Sequence, residues 1–422
     1  MLCCLFVIAK HTTNVVLRFT PSMRCPGQSL LDSWYNLSMN YYITKESTLK
    51  WLEVPTVYQI KTDELYELDN DSFEFFKKCA SETGCASKDG GFIDYCLEEG
   101  IVTLNKPSVK RPNLLKSPDP SLRYLELQIT NACNLRCKHC YIGDETKKEL
   151  STKQIRTLLN EFEKMQGLRV LITGGEPLLH DKFYELNEML PHYAIRKILF
   201  TNGVLLSREI LKTLHVDELQ ISIDGLEYAH DALRGSGMFK RSLEAIRQAL
   251  DSGFSVSVAT MVHPRNRGDF TGMERMFKEM GIKDWTVDVP VIEGRLKENS
   301  EFHIAPEEGG KYLGYGYGDG MHTAGHGHAC GLHLMSIMAD GRAAKCSFYT
   351  NHAVGTINEG LAALWGRTRP IRLSELSCAC DYIEACRGGC RYRAEIIDGP
   401  RGRDLYRCVL YGIIGDTVDN AA

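Results

Sequence analysis

Six short runs rich in β-branched and aliphatic residues alternate with helical segments along the middle of this chain: 124–130 (YLELQIT), 168–173 (LRVLIT), 196–201 (RKILFT), 218–224 (ELQISID), 254–262 (FSVSVATMV) and 285–291 (WTVDVPV). No other feature restricts the fold as much. Parallel neighbours need a crossover that packs back onto the sheet, so six alternating units predict an α/β fold with helices outside a parallel sheet, either open or curved into a partial barrel. Two helices carry their own signals: Ser151 caps a segment that includes TKQIRTLLNEFEKM, and Leu243, Ile246 and Leu250 line one face of RSLEAIRQAL. In such folds the chemistry sits at the carboxyl ends of the strands.

Cys133, Cys137 and Cys140 fall in the loop after the first of these strands. A C-x3-C-x2-C loop can wrap three thiolates around three irons of one [4Fe-4S] cube and leave the fourth iron open, whereas a cluster used only for electron transfer takes a fourth cysteine. The competing reading is a zinc site of three cysteines completed by His139, awkward because that residue's backbone is pinned between two ligands. Sixteen cysteines in 422 residues without an export signal favour metal ligation over disulfides. Their spread predicts two metal regions, since seven lie between 330 and 408 and none between Cys140 and Cys330.

The rest of the composition narrows the partners. With 43% hydrophobic and 25% charged residues the chain reads as globular, and a net charge of −4 gives no electrostatic case for nucleic acid or an anionic membrane. The uncharged N-terminal run is too short to span a bilayer and lacks the features of a secretory signal, so neither a membrane span there nor export is expected. Residues 1–38 read as an uncertain extension, because Met39 opens the first patterned segment. Residues 39–105 read as a small strand-then-helix module of winged-helix size: Val/Tyr/Leu-rich segments precede DSFEFFKKCASETG and GGFIDYCLEEG. The proline-rich, basic stretch 106–120 reads as a linker.

With these motifs in order, the central region, about 121–300, resembles the radical S-adenosylmethionine enzymes. The resemblance implies a partial (β/α)6 barrel. It also implies that Cys133, Cys137 and Cys140 hold a [4Fe-4S] cluster whose open iron binds S-adenosyl-L-methionine, and that a 5′-deoxyadenosyl radical then abstracts a substrate hydrogen. His139 falls where the family usually has an aromatic residue near the adenine. TGGEPLL (173–179) matches the glycine-rich motif: Gly174 and Gly175 permit close backbone approach, and Glu176 is a candidate acceptor for the methionine ammonium. Ser222 and Asp224, in SIDG, are candidates for ribose hydroxyls or carboxylate, although Asp-Gly is also good turn chemistry. TNG (201–203), HDALRGSGMF (230–239) and VIEGR, with Arg295, also match family segments, the last without an assigned role.

Residues 301–422 resemble the loop-rich SPASM extension. By that resemblance Cys378, Cys380, Cys386 and Cys408 hold one auxiliary [4Fe-4S] cluster, and Cys330, Cys346 and Cys390 another. The pair Cys378-x-Cys380 is one residue tighter than the family's C-x2-C. No cysteine stands just before Cys330, so His322, His326 or His328 could complete that site, or it could stay open; idle histidines in a glycine-rich loop are the plainer alternative. A zinc site would also suit this spacing. Cys3, Cys4, Cys25, Cys79, Cys85 and Cys96 match no motif and read as free thiols.

The N-terminal module resembles the peptide-recognition element of ribosomal-peptide maturases, which captures a leader peptide by strand addition; a plain accessory domain is the alternative. Together the resemblances imply a maturase that oxidatively forms a thioether or carbon-carbon link in a leader-bearing peptide, with an electron donor such as ferredoxin or flavodoxin. Two rivals remain: maturation of a tetrapyrrole or metal cofactor, and a non-catalytic iron-sulfur electron carrier or zinc scaffold. Sulfatase maturases are not expected, because Ser347 follows Cys346 where they resemble a pattern with an aspartate.

Overall fold

The computed structural model describes residues 15–17, 39–108, 111–143, 146–318, 320 and 325–414, so the expectations for Cys3, Cys4, Cys25 and His322 lie outside the described residues. Two compact units emerge: Met1–Arg123 with Asn160–Leu168 and His192–Arg196, and Tyr124–Leu159 with Arg169–Pro191 and Lys197–Ala422.

In the first unit, β1 (Val15–Leu17), β2 (Tyr42–Ile43), β3 (Ser47–Trp51), β4 (Pro55–Gln59) and β5 (Glu64–Leu68) precede α1 (Asn70–Cys79), α2 (Gly90–Glu98) and β6 (Val102–Thr103). Strands β3, β4 and β5 form an antiparallel meander. β1 pairs in parallel along the far edge of β5, Val15 opposite Tyr66 and Leu17 opposite Leu68. Both helices are capped by aspartates: Asp69 accepts from Ser72 N at 2.9 Å and Asp89 from Phe92 N at 3.1 Å. Their phenylalanines interlock, with Phe75 and Phe92 ring centres 5.6 Å apart. The segments at 160–168 and 192–196 belong here for a packing reason. Leu168 and Ala194 complete an apolar cluster with Leu52, Tyr58, Ile60 and Leu65. The buried Lys50 amine donates to Gly167 O at 2.9 Å, and Arg196 Nη1 donates to Ile60 O at 2.7 Å.

The second unit runs β7 (Tyr124–Thr130), α3 (Thr152–Lys164, its last turn in the first unit), β8 (Arg169–Gly174), α4 (Phe183–Met189), β9 (Arg196–Thr201), α5 (Arg208–Thr213), β10 (Glu218–Ser222), α6 (Glu227–Arg234), α7 (Met238–Asp251), β11 (Ser255–Met261), α8 (Phe270–Glu279) and β12 (Asp284–Asp288). The six strands lie in reverse chain order from β12 to β7. Ser151 and Gln154 form a reciprocal cap at the start of α3, at 3.3 Å and 2.8 Å. The sheet does not stop at β7. The C-terminal β13 (Leu334–Ile337) pairs with it in parallel, and β14 (Arg342–Ala344) and β15 (Gly355–Thr356) follow antiparallel, giving nine strands in a mixed, unclosed barrel. Thus the cysteine-rich segment shares a sheet, and a compact unit, with the core.

Alternation decides which side chains face inward. In β7, Leu125, Leu127 and Ile129 are at most 1% exposed, while Glu126, Gln128 and Thr130 point to the opposite face. Register aligns Gln220 with Ser257, and Ser222 with Ala259, leaving Leu219, Ile221, Val256 and Val258 on the face that α7 covers. The uncovered inner face is therefore polar.

Candidate active site

The loop after β7 is held by its backbone. Lys138 N donates to Leu233 O at 2.9 Å, Cys140 N to Cys137 O at 3.2 Å, and Arg295 N to Cys140 O at 3.0 Å. Arg295 gains a role here that its sequence motif did not disclose: its guanidinium reaches Cys137 O at 3.4 Å and Gly143 O at 2.9 Å. The preceding Gly294 has φ +54°, and a Cβ there would stand 2.3 Å from Cys140 O, so a side chain would push the loop away.

Gly174 and Gly175 press on the same loop from β8. A Cβ on Gly174 would lie 2.4 Å from Thr130 O, and one on Gly175 2.4 Å from Ala132 O. Glu176 follows, fully buried, accepting from Thr201 Oγ1 at 2.9 Å, Asn202 N at 2.9 Å and Leu178 N at 3.3 Å. Burial pushes its carboxyl up to about 7 against these donors. No cation stands among its described partners. The TNG segment thus orients Glu176, while Asn202 Nδ2 also donates to Asn134 in the cysteine loop at 2.8 Å.

Asp224 is the second candidate of the SIDG segment. It is fully buried, ion-paired to Arg234 at the end of α6, and accepts from Met261 N at 2.7 Å. Burial pushes its carboxyl up, but Arg234, with His139 and His230, pulls it further down, well below the usual range. Its carboxylate is ion-paired within the protein, while Ser222 is half-buried on the inner face. His139 lies among Asp224, Arg234, His230 and His263; burial lowers its ring to about 3, and its Nδ1 has no partner. Arg234 Nη1 stands 3.9 Å from Cys137 Sγ and Leu135 N 3.4 Å from Cys133 Sγ, donors suited to thiolates. Desolvation pushes the Cys133 thiol up to about 11, and a bound metal would supply the positive charge that favours its thiolate.

Among the C-terminal cysteines, Cys330, Cys346 and Cys390 lie within electrostatic reach of one another, and Cys408 within reach of Cys378 and Cys386, with Cys380 beside Cys378. His328 Nδ1 is 3.2 Å from His326 O, within its own loop. Among the described residues no three Cys, His, Asp or Glu side chains close on a single ion-sized point. One tetrahedral zinc demands that convergence, whereas thiolates around a four-iron cube stand further apart. The donor set therefore fits clusters: Cys133, Cys137 and Cys140 would hold one, and the C-terminal groups would hold others. A cluster held there would supply the electron for cleaving S-adenosylmethionine. The chain's own part is to fix the loop through main-chain bonds and to hold the buried Glu176 carboxylate beside it, with Glu176 N donating to Ala132 O at 2.8 Å.

An opening of about 320 Å³ borders the loop at Asn134, Arg136, Asp231 and Met238. Leu135, Lys138 and Arg234 also line it, whereas Glu176 and Ser222 do not.

Among the described residues no helix is long and apolar enough to cross a membrane. Residues 127–277 match the model of the Radical SAM superfamily. The chain is 29% identical over 241 residues to the AdoMet-dependent heme synthase of Nitratidesulfovibrio vulgaris, covering 55% of this chain and 66% of that protein, just under two thirds of its length. It is 27% identical over 327 residues to mycofactocin maturase MftC of Mycobacterium tuberculosis, covering 65% of this chain and 81% of that one. The structure of Streptococcus suis SuiB bound to precursor peptide SuiA aligns with a TM-score of 0.64 at 15% identity, over 87% of this chain and 100% of that one, a likeness of fold. With the C-terminal cysteine pattern fitting SPASM, the cysteine loop on β7 and the glycine pair packed against it place this chain among the radical S-adenosylmethionine enzymes.

Proposed function

We propose that the protein is a peptide maturase that oxidatively links two positions of a ribosomally made, leader-bearing precursor through a thioether or carbon-carbon bond. The observation that carries this reading is the edge of β5. An extended segment of the chain itself, Val15–Leu17, pairs along it, so this edge has the hydrogen-bonding capacity to accept an added strand. The similarity to MftC, and the fold shared with SuiB bound to its precursor peptide, support it further. Leader capture would raise the local concentration of the core peptide without tight contacts at the reacting bond. Two auxiliary clusters held by the C-terminal cysteines, a ferredoxin or flavodoxin donor, and a cytoplasmic setting complete the proposal.

The test is mass spectrometry of a precursor peptide after anaerobic incubation with the reconstituted enzyme, S-adenosylmethionine and a reductant. A loss of one pair of hydrogens per link is expected, falling about 10²–10⁴-fold when the leader is removed. An unchanged peptide alongside active S-adenosylmethionine cleavage sinks the reading. The relation to heme synthases then makes tetrapyrrole maturation the next substrate class to assay.

Glu176→Gln is expected to weaken S-adenosylmethionine binding about 10–100-fold, the worth of a hydrogen bond to a charged group. In the wild type, affinity should fall as pH drops below about 7, because the buried carboxyl then takes up a proton and loses the charge that attracts an ammonium. Equilibrium dialysis at several pH values checks both; a flat profile would remove Glu176 from the binding site.

A further inference from the structure

Glu176 has a counterpart that no motif assigns. Glu126 projects from the centre of β7 onto the polar inner face, opposite Leu171 of β8 and Ser336 of β13. The residue as a whole is half-buried. Its described partners are the Ser336 hydroxyl and, at 3.3 Å, Ser347 N, and no cation is among them. Two other buried carboxylates do have one, Asp224 in Arg234 and Asp404 in Arg393, while Glu176 does not. A carboxyl taken from water without a counter-charge costs stability, so its presence calls for a use.

The surroundings narrow that use. Ser347 follows Cys346, and its side chain meets both Glu126 and the Tyr141 hydroxyl. Tyr141 follows Cys140, and its ring packs on Phe348 at 5.0 Å. Glu126 therefore sits between the loop of the first cysteine set and that of the second. The titratable groups facing it are Tyr141 and Cys346, and neither is cationic. Burial raises the Glu126 carboxyl above its ordinary range, which makes it a stronger proton acceptor than an exposed glutamate.

We propose that Glu126 is a catalytic residue that accepts the substrate proton released as the new bond forms. This rests on the oxidative peptide reading above. Joining R–H to R′X–H removes two hydrogens. One leaves as an atom to the 5′-deoxyadenosyl radical, giving 5′-deoxyadenosine. The other leaves X as a proton, received by the Glu126 carboxylate, and the remaining electron passes to an iron-sulfur acceptor. That electron balances the one spent on cleaving S-adenosylmethionine.

The experiment uses the full-length reconstituted enzyme, its Glu126→Gln and Glu126→Asp variants, and infrared difference spectra with the same samples. In Glu126→Gln the ratio of linked peptide to 5′-deoxyadenosine should fall about 10²–10⁴-fold, the usual worth of a general base, with partial recovery in Glu126→Asp. The wild type should show a protonated-carboxyl C=O band, titrating with pH and shifting in deuterium oxide, that is absent from Glu126→Gln. A ratio within threefold of wild type in Glu126→Gln overturns the proposal. Should the wild type link no peptide, the functional reading has failed separately, and Glu126 is judged by the band alone: a difference spectrum without a titrating carboxyl overturns its role as a proton acceptor.

Discussion

Replacing Cys133, Cys137 and Cys140 together by alanine is expected to abolish S-adenosylmethionine cleavage and remove about four irons per chain, as befits one cube. The loop should survive the change, because its shape depends on main-chain bonds. Leu233 O, Cys137 O and the Arg295 amide hold it at 2.9, 3.2 and 3.0 Å, none of which requires a thiol. A normal circular dichroism spectrum with no 5′-deoxyadenosine in anaerobic assays is therefore the anticipated pair of results. Wild-type cleavage rates in the triple variant would remove the loop from the chemistry altogether.

The second large effect belongs to Arg234. Its side chain is 11% exposed and its partner Asp224 fully buried. Arg234→Met strands that carboxylate, with a cost of about 3–5 kcal/mol for breaking a buried pair from one side. Denaturant titration reads it directly, and a loss below about 1 kcal/mol would mean that Met261 N and the buried surroundings suffice. The sign with pH follows from the depressed carboxyl of the folded state. Its contribution is complete above the unfolded value of about 4 and is lost as pH falls through the lower folded value. Because Arg234 also stands 3.9 Å from Cys137 Sγ, the variant should shift the potential of a bound cluster downward, since a donor to sulfur favours the reduced state. Redox titration followed by electron paramagnetic resonance separates this effect from simple unfolding.

Reading along the chain located the six parallel strands, two of them to the residue. Alternating apolar runs of that length report their own burial, and glycine and cap residues mark their ends. Local pattern also located the cysteine loop and the glycine pair, since ligand spacing and close backbone approach are written in consecutive residues. It could not find β13 to β15, whose short runs become strands only because β7 offers an open edge. Nor could it assign Asp404 to Arg393, or Asp224 to Arg234 rather than to a ligand, because a carboxylate's partner depends on what folds over it.

By itself, then, the sequence determined the α/β core and the chemistry class, through periodicity and spacing that act over a few residues. The tertiary structure alone decided how the loop is braced, by Arg295 from 155 positions beyond Cys140, and which polar residues face the barrel interior. Glu126 shows why: in the sequence it is one charged position inside an apolar strand. Only the pairing of β7 with β8 and β13, and the approach of Ser347 and Tyr141, turn it into a carboxyl on the inner face between the two cysteine segments.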